Sequence, residues 1–208
     1  MIAVDTRELG EMLLTRLCHD LAGPLGAVDN GIEFLKEDNP DLRDKSMELI
    51  ALSVREAIDR MVFFRQTFGR TAEGNTLAWE DIKKIAGQYF GQRHITLKWK
   101  IDKKNEGKPL PALEVKCLFL LLLAASDTLL SGGTIACTYA NDRLHIHAEG
   151  KPMKANPTLP LLLKKDKAAP AMDVKNASLF YTLCIAEQLK AKIKAESTEL
   201  HYAIDATF

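Results

Sequence analysis

The fold is decided by the stretch Leu17-Cys18-His19-Asp20-Leu21-Ala22-Gly23-Pro24, near the start of a long amphipathic helix. Apolar residues around it recur at spacings of three and four and form one helical stripe: Leu9, Leu13, Leu17, Leu21, Leu25, Val28, Ile32 and Leu35. His19 lies two residues from both Leu17 and Leu21, about 200° around the helix at about 100° per residue. The pattern therefore predicts that the imidazole faces solvent.

Small residues surround this histidine on the helix surface. Ala22 and Gly23 follow one turn later, with Gly26 beyond, and Arg16 lies one turn before. Pro24 has no N–H for the carbonyl four residues earlier, so we expect a kink there. An imidazole beside nearly bare backbone is open to a large partner. The alternative is an ordinary surface histidine, with small residues that serve close packing in a bundle.

Composition excludes several classes of protein. The chain has 208 residues, 47% of them apolar, and 28 basic residues balance 28 acidic ones. A core can therefore form, and the zero net charge argues against a nucleic-acid partner. The longest apolar run, Leu118–Ser126, is far shorter than the ~20 residues of a membrane span. Four scattered cysteines without C-x-x-C spacing and the lack of a signal-peptide pattern predict a cytoplasmic protein with reduced thiols.

Two long helices, at 6–36 and 39–68, are predicted to form an antiparallel hairpin. Pro40 suits the first helical position and Asn39 the N-cap. The second helix carries its own apolar stripe: Met47, Ile50, Val54, Ala57 or Ile58, Met61, Phe64 and Phe68. One hairpin cannot cover both stripes, so we predict a homodimer with a four-helix bundle. Docking of the stripes on the rest of the same chain is the less natural alternative.

The second half alternates between helices and strands. Helices are predicted at 79–90, 112–130 and 174–190, and strands at 94–101, 134–140, 143–148, 192–195 and 200–206. Asn141-Asp142 is a turn-prone pair between two of the strands. The expected fold class is α+β. A helical hairpin for dimerisation, at 1–70, precedes a two-layer α/β sandwich over a mixed sheet, at 76–208.

A histidine followed by an acid, with proline at the fifth position after it, resembles the H-box of sensor histidine kinases. There the histidine accepts a phosphoryl group. The chain also resembles the ChpT-type histidine phosphotransferase family, whose Cys-His-Asp triplet precedes a proline, a Gly-Ala pair and an Asn-Gly pair. The matching positions here are Cys18-His19-Asp20, Pro24, Gly26-Ala27 and Asn30-Gly31. A small hydroxyl residue often precedes the proline in the family, whereas Gly23 stands here.

The second half resembles the ATP-binding (Bergerat or GHKL) domain of sensor kinases, but the nucleotide motifs are missing. The two asparagines that hold Mg²⁺ in the kinases fall on Leu120 and Ala124, which offer no oxygen ligand. The kinase Asp-x-Gly-x-Gly falls on Ala148-Glu149-Gly150-Lys151-Pro152, and the later Gly-x-Gly on Asn176-Ala177-Ser178. We therefore predict a retained fold that binds neither ATP nor a metal of its own. Leu159–Leu163 is either a short helix over the vacated cleft or a docking patch.

The resemblance implies a phosphotransferase in a two-component phosphorelay, with His19 as the catalytic phosphoryl acceptor. Family members are dimeric relays that take the phosphoryl group from the receiver domain of a hybrid sensor kinase (CckA-like) and pass it to response regulators (CtrA-like and CpdR-like). The receiver would supply Mg²⁺. Asp20 is expected to orient the ring or accept a proton, and Arg16 to meet phosphate or receiver carboxylates. The remaining docking residues are Ala22, Gly23, Pro24 and Gly26.

A non-catalytic scaffold or inhibitor that binds a kinase or receiver is the alternative function. The intact His19-Asp20 pair and Pro24 favour the enzyme, because a scaffold needs no exposed histidine. An ATP-dependent kinase is disfavoured by the missing nucleotide motifs. His145 and His147 share a strand face, but no third ligand has suitable spacing, so we predict no metal site.

Overall fold

The computed structural model describes residues 4–37, 39–72 and 74–208. Its helices are α1 (Thr6–Phe34), α2 (Pro40–Phe68), α3 (Trp79–Gly91), α4 (Ala112–Ser126), α5 (Thr158–Lys164) and α6 (Ala177–Leu189). Its strands are β1 (Thr76–Leu77), β2 (Ile95–Ile101), β3 (Leu110–Pro111), β4 (Gly133–Ala140), β5 (Arg143–Glu149), β6 (Lys192–Ser197) and β7 (Tyr202–Thr207). None of the helices in these ranges is long and apolar enough to cross a membrane.

The helical hairpin is built from α1 and α2, which have 29 residues each. Asp5 caps α1, since its carboxylate accepts hydrogen bonds from the backbone N–H groups of Arg7 at 2.9 Å and Glu8 at 3.3 Å. The two helices approach closely at Gly31, where an added Cβ would lie 2.6 Å from Cγ1 of Ile50. A side chain at this position would push the helices apart, so the close approach requires glycine.

The main sheet has the strand order β2-β4-β5-β7-β6. β2 runs parallel to β4, and the other neighbours are antiparallel, as the predicted mixed sheet requires. Asn141 and Asp142 form the turn between β4 and β5 with φ angles of 51° and 59°. These left-handed values are typical of a two-residue type I′ turn, whose twist matches that of the flanking strands.

The core lies between the sheet and the helices, with α4 at its centre. Every residue of α4 from Val115 to Ser126 is buried, because the helix contacts α2, α6 and the sheet. The Phe63 ring of α2 is fully buried and stacks on Tyr89 at 4.0 Å and on Phe119 at 4.8 Å between ring centroids. The end of the hairpin where α1 begins and α2 ends is called its foot here. Leu9 and Phe63 at the foot therefore share one core with the α/β layers.

This shared core corrects one expectation from the sequence. The apolar stripes were expected not to dock on the rest of the same chain, yet Leu9 is buried in the core, and Leu17 and Leu21 pack against it. Docking occurs because α1 packs against α6, while Phe63 and Phe64 of α2 pack against Tyr89 of α3. Other apolar side chains of the hairpin stay uncovered, with Leu25 56% exposed and Ile58 45% exposed.

Some element boundaries also differ from the prediction. α4 ends at Ser126 and not near residue 130. α6 begins at Ala177, because Asp173 and Asn176 exchange side-chain hydrogen bonds of 2.8 Å with each other's backbone N–H and form a turn before the helix. The pairing of β1 with β3 was not predicted. The run Leu159–Leu163 lies in the short helix α5, one of its two predicted alternatives. The α+β architecture itself is confirmed.

Candidate functional site

His19 lies in the first half of α1 with its side chain 87% exposed, as the helical pattern predicted. It stands at the rim of a cleft of about 600 Å³ between α1, the end of α4 and the segment that precedes α6. The ring Nδ1 lies 3.5 Å from Oδ1 of Asp20. The Nδ1 edge of the imidazole therefore has a carboxylate neighbour, while most of the side chain is open to solvent.

Pro24 is buried and acts on the backbone directly beside His19. Because proline has no N–H, the carbonyl of Asp20 loses its ordinary helical donor. The Nη1 group of Arg60, on α2, donates a hydrogen bond to this carbonyl instead. Arg60 is itself held by an ion pair with Glu56 one turn away on α2. The proline thus creates an acceptor through which the two helices are joined at the site.

Arg16 connects α1 to the α/β layers. Its Nη1 donates to Oγ of Ser178 at 2.8 Å and to the carbonyl of Lys175 at 3.1 Å, and its Nη2 donates to Oδ2 of Asp127 at 3.1 Å. Burial disfavours the charged guanidinium, but the neighbouring carboxylates of Asp127 and, to a lesser extent, Asp20 help to offset this, and the pKa of Arg16 is raised. The guanidinium is engaged within the chain, so its expected contact with phosphate or a receiver stays a prediction.

Asp127 contacts a second arginine in addition to Arg16. It caps the C-terminus of α4 and also lies 3.5 Å from Nη2 of Arg93. Arg93 in turn donates to Oγ of Ser126 at 2.9 Å. Sequence reasoning missed both residues as parts of the site. The signal for them in the sequence was weak. Each is a charged residue that follows a helix, and neither has a spacing that connects it to His19.

The small residues next to His19 are open, as expected for a docking surface. Ala22, Gly23 and Gly26 are exposed, and a Cβ added at Gly23 or Gly26 would meet nothing within 4 Å. Packing against helices of the same chain applies to Gly31 and not to these positions, and close packing in a bundle of two copies stays the alternative to docking.

Comparison with known proteins identifies the family. The family model for the histidine phosphotransferase C-terminal domain matches residues 79–200. The chain belongs to this family. It is 29% identical over 202 residues to the protein phosphotransferase ChpT of Brucella abortus (strain 2308), over 95% of this chain and 94% of that protein. A solved structure of a bacterial phosphotransferase aligns over 99% of this chain and 98% of its own length, with a TM-score of 0.82 and 29% identity.

The residues that the sequence resemblance aligned with the kinase ligands of Mg²⁺ and adenine are buried in this histidine phosphotransferase. Leu120, Ala124 and Ala148 are 0%, 1% and 0% exposed, and their side chains carry no oxygen donor. Helix α5 buries Leu159 and Leu162 in the same core.

The strand histidines of this phosphotransferase have local partners. Nδ1 of His145 lies 2.8 Å from Oδ1 of Asp205, and the ring of His147 stacks on that of His201 at 5.7 Å. In residues 4–37, 39–72 and 74–208, no group of three or more His, Cys, Asp or Glu side chains could hold a metal ion.

Proposed function

We propose that this phosphotransferase carries a phosphoryl group on His19 in a two-component phosphorelay. The group would come from the receiver domain of a hybrid sensor kinase (CckA-like) and pass to response regulators (CtrA-like and CpdR-like), all in the cytoplasm. The observation that supports this role is the exposed imidazole at the rim of a cleft, with a carboxylate 3.5 Å from Nδ1, in a member of this family.

Asp20 determines which ring nitrogen reacts. A carboxylate beside Nδ1 favours the tautomer with its proton there and leaves the lone pair on Nε2. Nε2 attacks the phosphorus of the receiver's aspartyl phosphate, an N–P bond forms, and the P–O bond to the aspartate breaks as the carboxylate leaves. The ring is cationic until the Nδ1 proton departs, and Asp20 stabilises that charge. The receiver would bring Mg²⁺, which offsets phosphoryl charge while in-line positioning lowers the barrier.

Two surfaces of the hairpin have different partners in this proposal. The receiver would approach the backbone at Ala22, Gly23 and Gly26, next to His19. A second copy of the chain would cover the exposed apolar side chains of the hairpin, such as Leu25 and Ile58, which gives a homodimer. We propose no nucleic-acid or membrane partner.

The direct test is phosphoryl transfer from a phosphorylated receiver domain. We expect the wild type to become labelled, and the label to be acid-labile and base-stable, as phosphohistidine is. His19→Gln keeps the size and helix propensity but removes the nucleophile, so labelling should fall to background. His145→Gln, at the other exposed histidine with a carboxylate neighbour, is the matched control and should label normally. Labelling of His19→Gln would refute the proposal, and receiver binding without any label would indicate the scaffold.

We also expect no ATP binding. The buried apolar residues Leu120, Ala124 and Ala148 cannot replace the ligands of Mg²⁺ and adenine. Thermal unfolding with millimolar Mg-ATP should match unfolding without it. A midpoint rise of several degrees, equivalent to more than about 1 kcal/mol of ligand stabilisation, would contradict this expectation.

A further inference from the structure

Two groups compete for the carboxylate of Asp20. Its Oδ1 lies 3.5 Å from Nδ1 of His19, and its Oδ2 lies 3.9 Å from Nε of Arg16, which is one turn earlier on the same helix. An arginine at this spacing can form a two-bond ion pair with a carboxylate, which is stronger than a bond from a neutral imidazole. Without its partners in the α/β layers, Arg16 would therefore draw the Asp20 carboxylate away from His19.

Residues of the α/β layers bind the Arg16 guanidinium and hold it away from Asp20. Asp127 accepts from Nη2 at 3.1 Å, and Ser178 and the carbonyl of Lys175 accept from Nη1 at 2.8 and 3.1 Å. Both terminal nitrogens are occupied, and only Nε remains near Asp20, at 3.9 Å. The Arg16 side chain is 16% exposed, so water offers it little alternative hydration.

Given that His19 is the acceptor as proposed above, we propose that Asp127 is a positioning residue for the transfer. By holding Arg16, it keeps the Asp20 carboxylate free to accept the Nδ1–H of His19 and so maintains the lone pair on Nε2. A residue 107 positions after Asp20, on another element, thus selects the reactive tautomer. The α/β layers would serve the chemistry of the hairpin without contacting the phosphoryl group.

The other charged groups around this network do not replace Asp127 or Arg16 in this role. Arg60 donates to the backbone carbonyl of Asp20 and is paired with Glu56, so its charge is already matched. Arg93 lies on the far side of Asp127, 3.5 Å from Oδ1, and bonds Ser126. Tyr89, which lines a second cavity together with Arg16, Asp20 and Asp127, is buried, and burial raises the pKa of its hydroxyl, so it stays neutral.

The test is the tautomer of His19, read from its two ring ¹⁵N shifts above neutral pH and assigned by their absence in His19→Gln. We expect the wild type to carry its proton on Nδ1. Asp127→Asn keeps the size but removes the charge, so Arg16 should turn to Asp20 and the Nδ1-protonated population should fall. Transfer should slow roughly tenfold, the equivalent of one charge-assisted hydrogen bond. Ser178→Ala, which removes a neutral partner of Arg16, should shift the tautomer in the same direction by less.

Removal of Arg16, which competes with His19 for Asp20, should restore the wild-type tautomer of His19. In the double variant Arg16→Gln/Asp127→Asn no arginine can capture Asp20 from that position, so the ¹⁵N shifts of His19 should return to those of the wild type. Asp205→Asn, the same change beside His145, is the matched control and should leave the His19 shifts and the transfer rate unchanged.

Two results would overturn the positioning role. One is an unchanged His19 tautomer in both Asp127→Asn and Ser178→Ala. The other is a double variant that keeps the shifts of Asp127→Asn, as a purely structural contact would predict. Neither result depends on transfer, so failure of this inference is distinguishable from failure of the proposed function, which would appear as labelling of His19→Gln.

Discussion

At the scale of single residues, glycines on α1 have two different roles. Gly31 lets the helices approach, and an added methyl group would lie 2.6 Å from Cγ1 of Ile50 and 3.3 Å from the carbonyl of Ser46. We expect Gly31→Ala to lower the free energy of unfolding by about 1–3 kcal/mol, as overpacking does. A Cβ added at Gly23 would meet nothing within 4 Å. Gly23→Ala should therefore raise the free energy of unfolding by up to about 1 kcal/mol, because alanine has the higher helix propensity.

Urea denaturation of the two variants measures both free energies, and receiver transfer separates stability from docking. If Gly23 leaves the backbone open to the receiver, Gly23→Ala should be more stable than the wild type and yet transfer more slowly. A Gly23→Ala variant with unchanged transfer would remove Gly23 from the docking surface. Equal destabilisation by both substitutions would contradict the separate roles.

At the scale of elements, the foot of α2 belongs to the same core as the α/β layers. Phe63 is fully buried against Tyr89 and Phe119. Phe63→Ala should therefore cost about 3–5 kcal/mol and destabilise helix and sheet together. Far-UV and near-UV circular dichroism should report one coincident transition. Arg65→Ala, an exposed change on the same helix, should stay within about 0.5 kcal/mol. Separate melting of the hairpin and the α/β layers would contradict a shared core.

Helices and turns that depend on local sequence signals could be predicted, whereas contacts that depend on tertiary packing could not. The period-3.6 stripes and Pro40 predicted α2 to its observed ends, and Asn141-Asp142 predicted its turn, because each signal is local. The end of α4 was misjudged because apolar residues continue to Leu130, beyond the last helical hydrogen bond. The partners of Arg16 could not be predicted, since Asp127 and Ser178 reach it only through tertiary packing.

At the scale of the whole molecule, most of the large apolar side chains that remain exposed lie on the hairpin. They are Leu14, Leu25, Ile32, Phe34, Met47, Leu52, Val54, Ile58 and Met61. Many exposed large apolar side chains on one element are characteristic of an interface, and the symmetric solution for a helical hairpin is a four-helix bundle of two copies. The predicted homodimer rests on these exposed side chains, while Leu9, Phe63 and Phe64 are covered by their own chain.

A charge in the apolar face tests the dimer. Ile58→Lys would bury an unpaired ammonium between two copies, which should cost about 3 kcal/mol or more and weaken association over a hundredfold. Ile58→Leu, at the same position, should remain dimeric. Because Phe63 and Leu9 anchor each hairpin in its own core, the lysine variant should dissociate into folded monomers and not unfold. Sedimentation velocity at micromolar concentration, with circular dichroism on the same samples, measures both. A monomeric wild type, or an Ile58→Lys variant that sediments as a dimer, would show that this face is not the dimer interface.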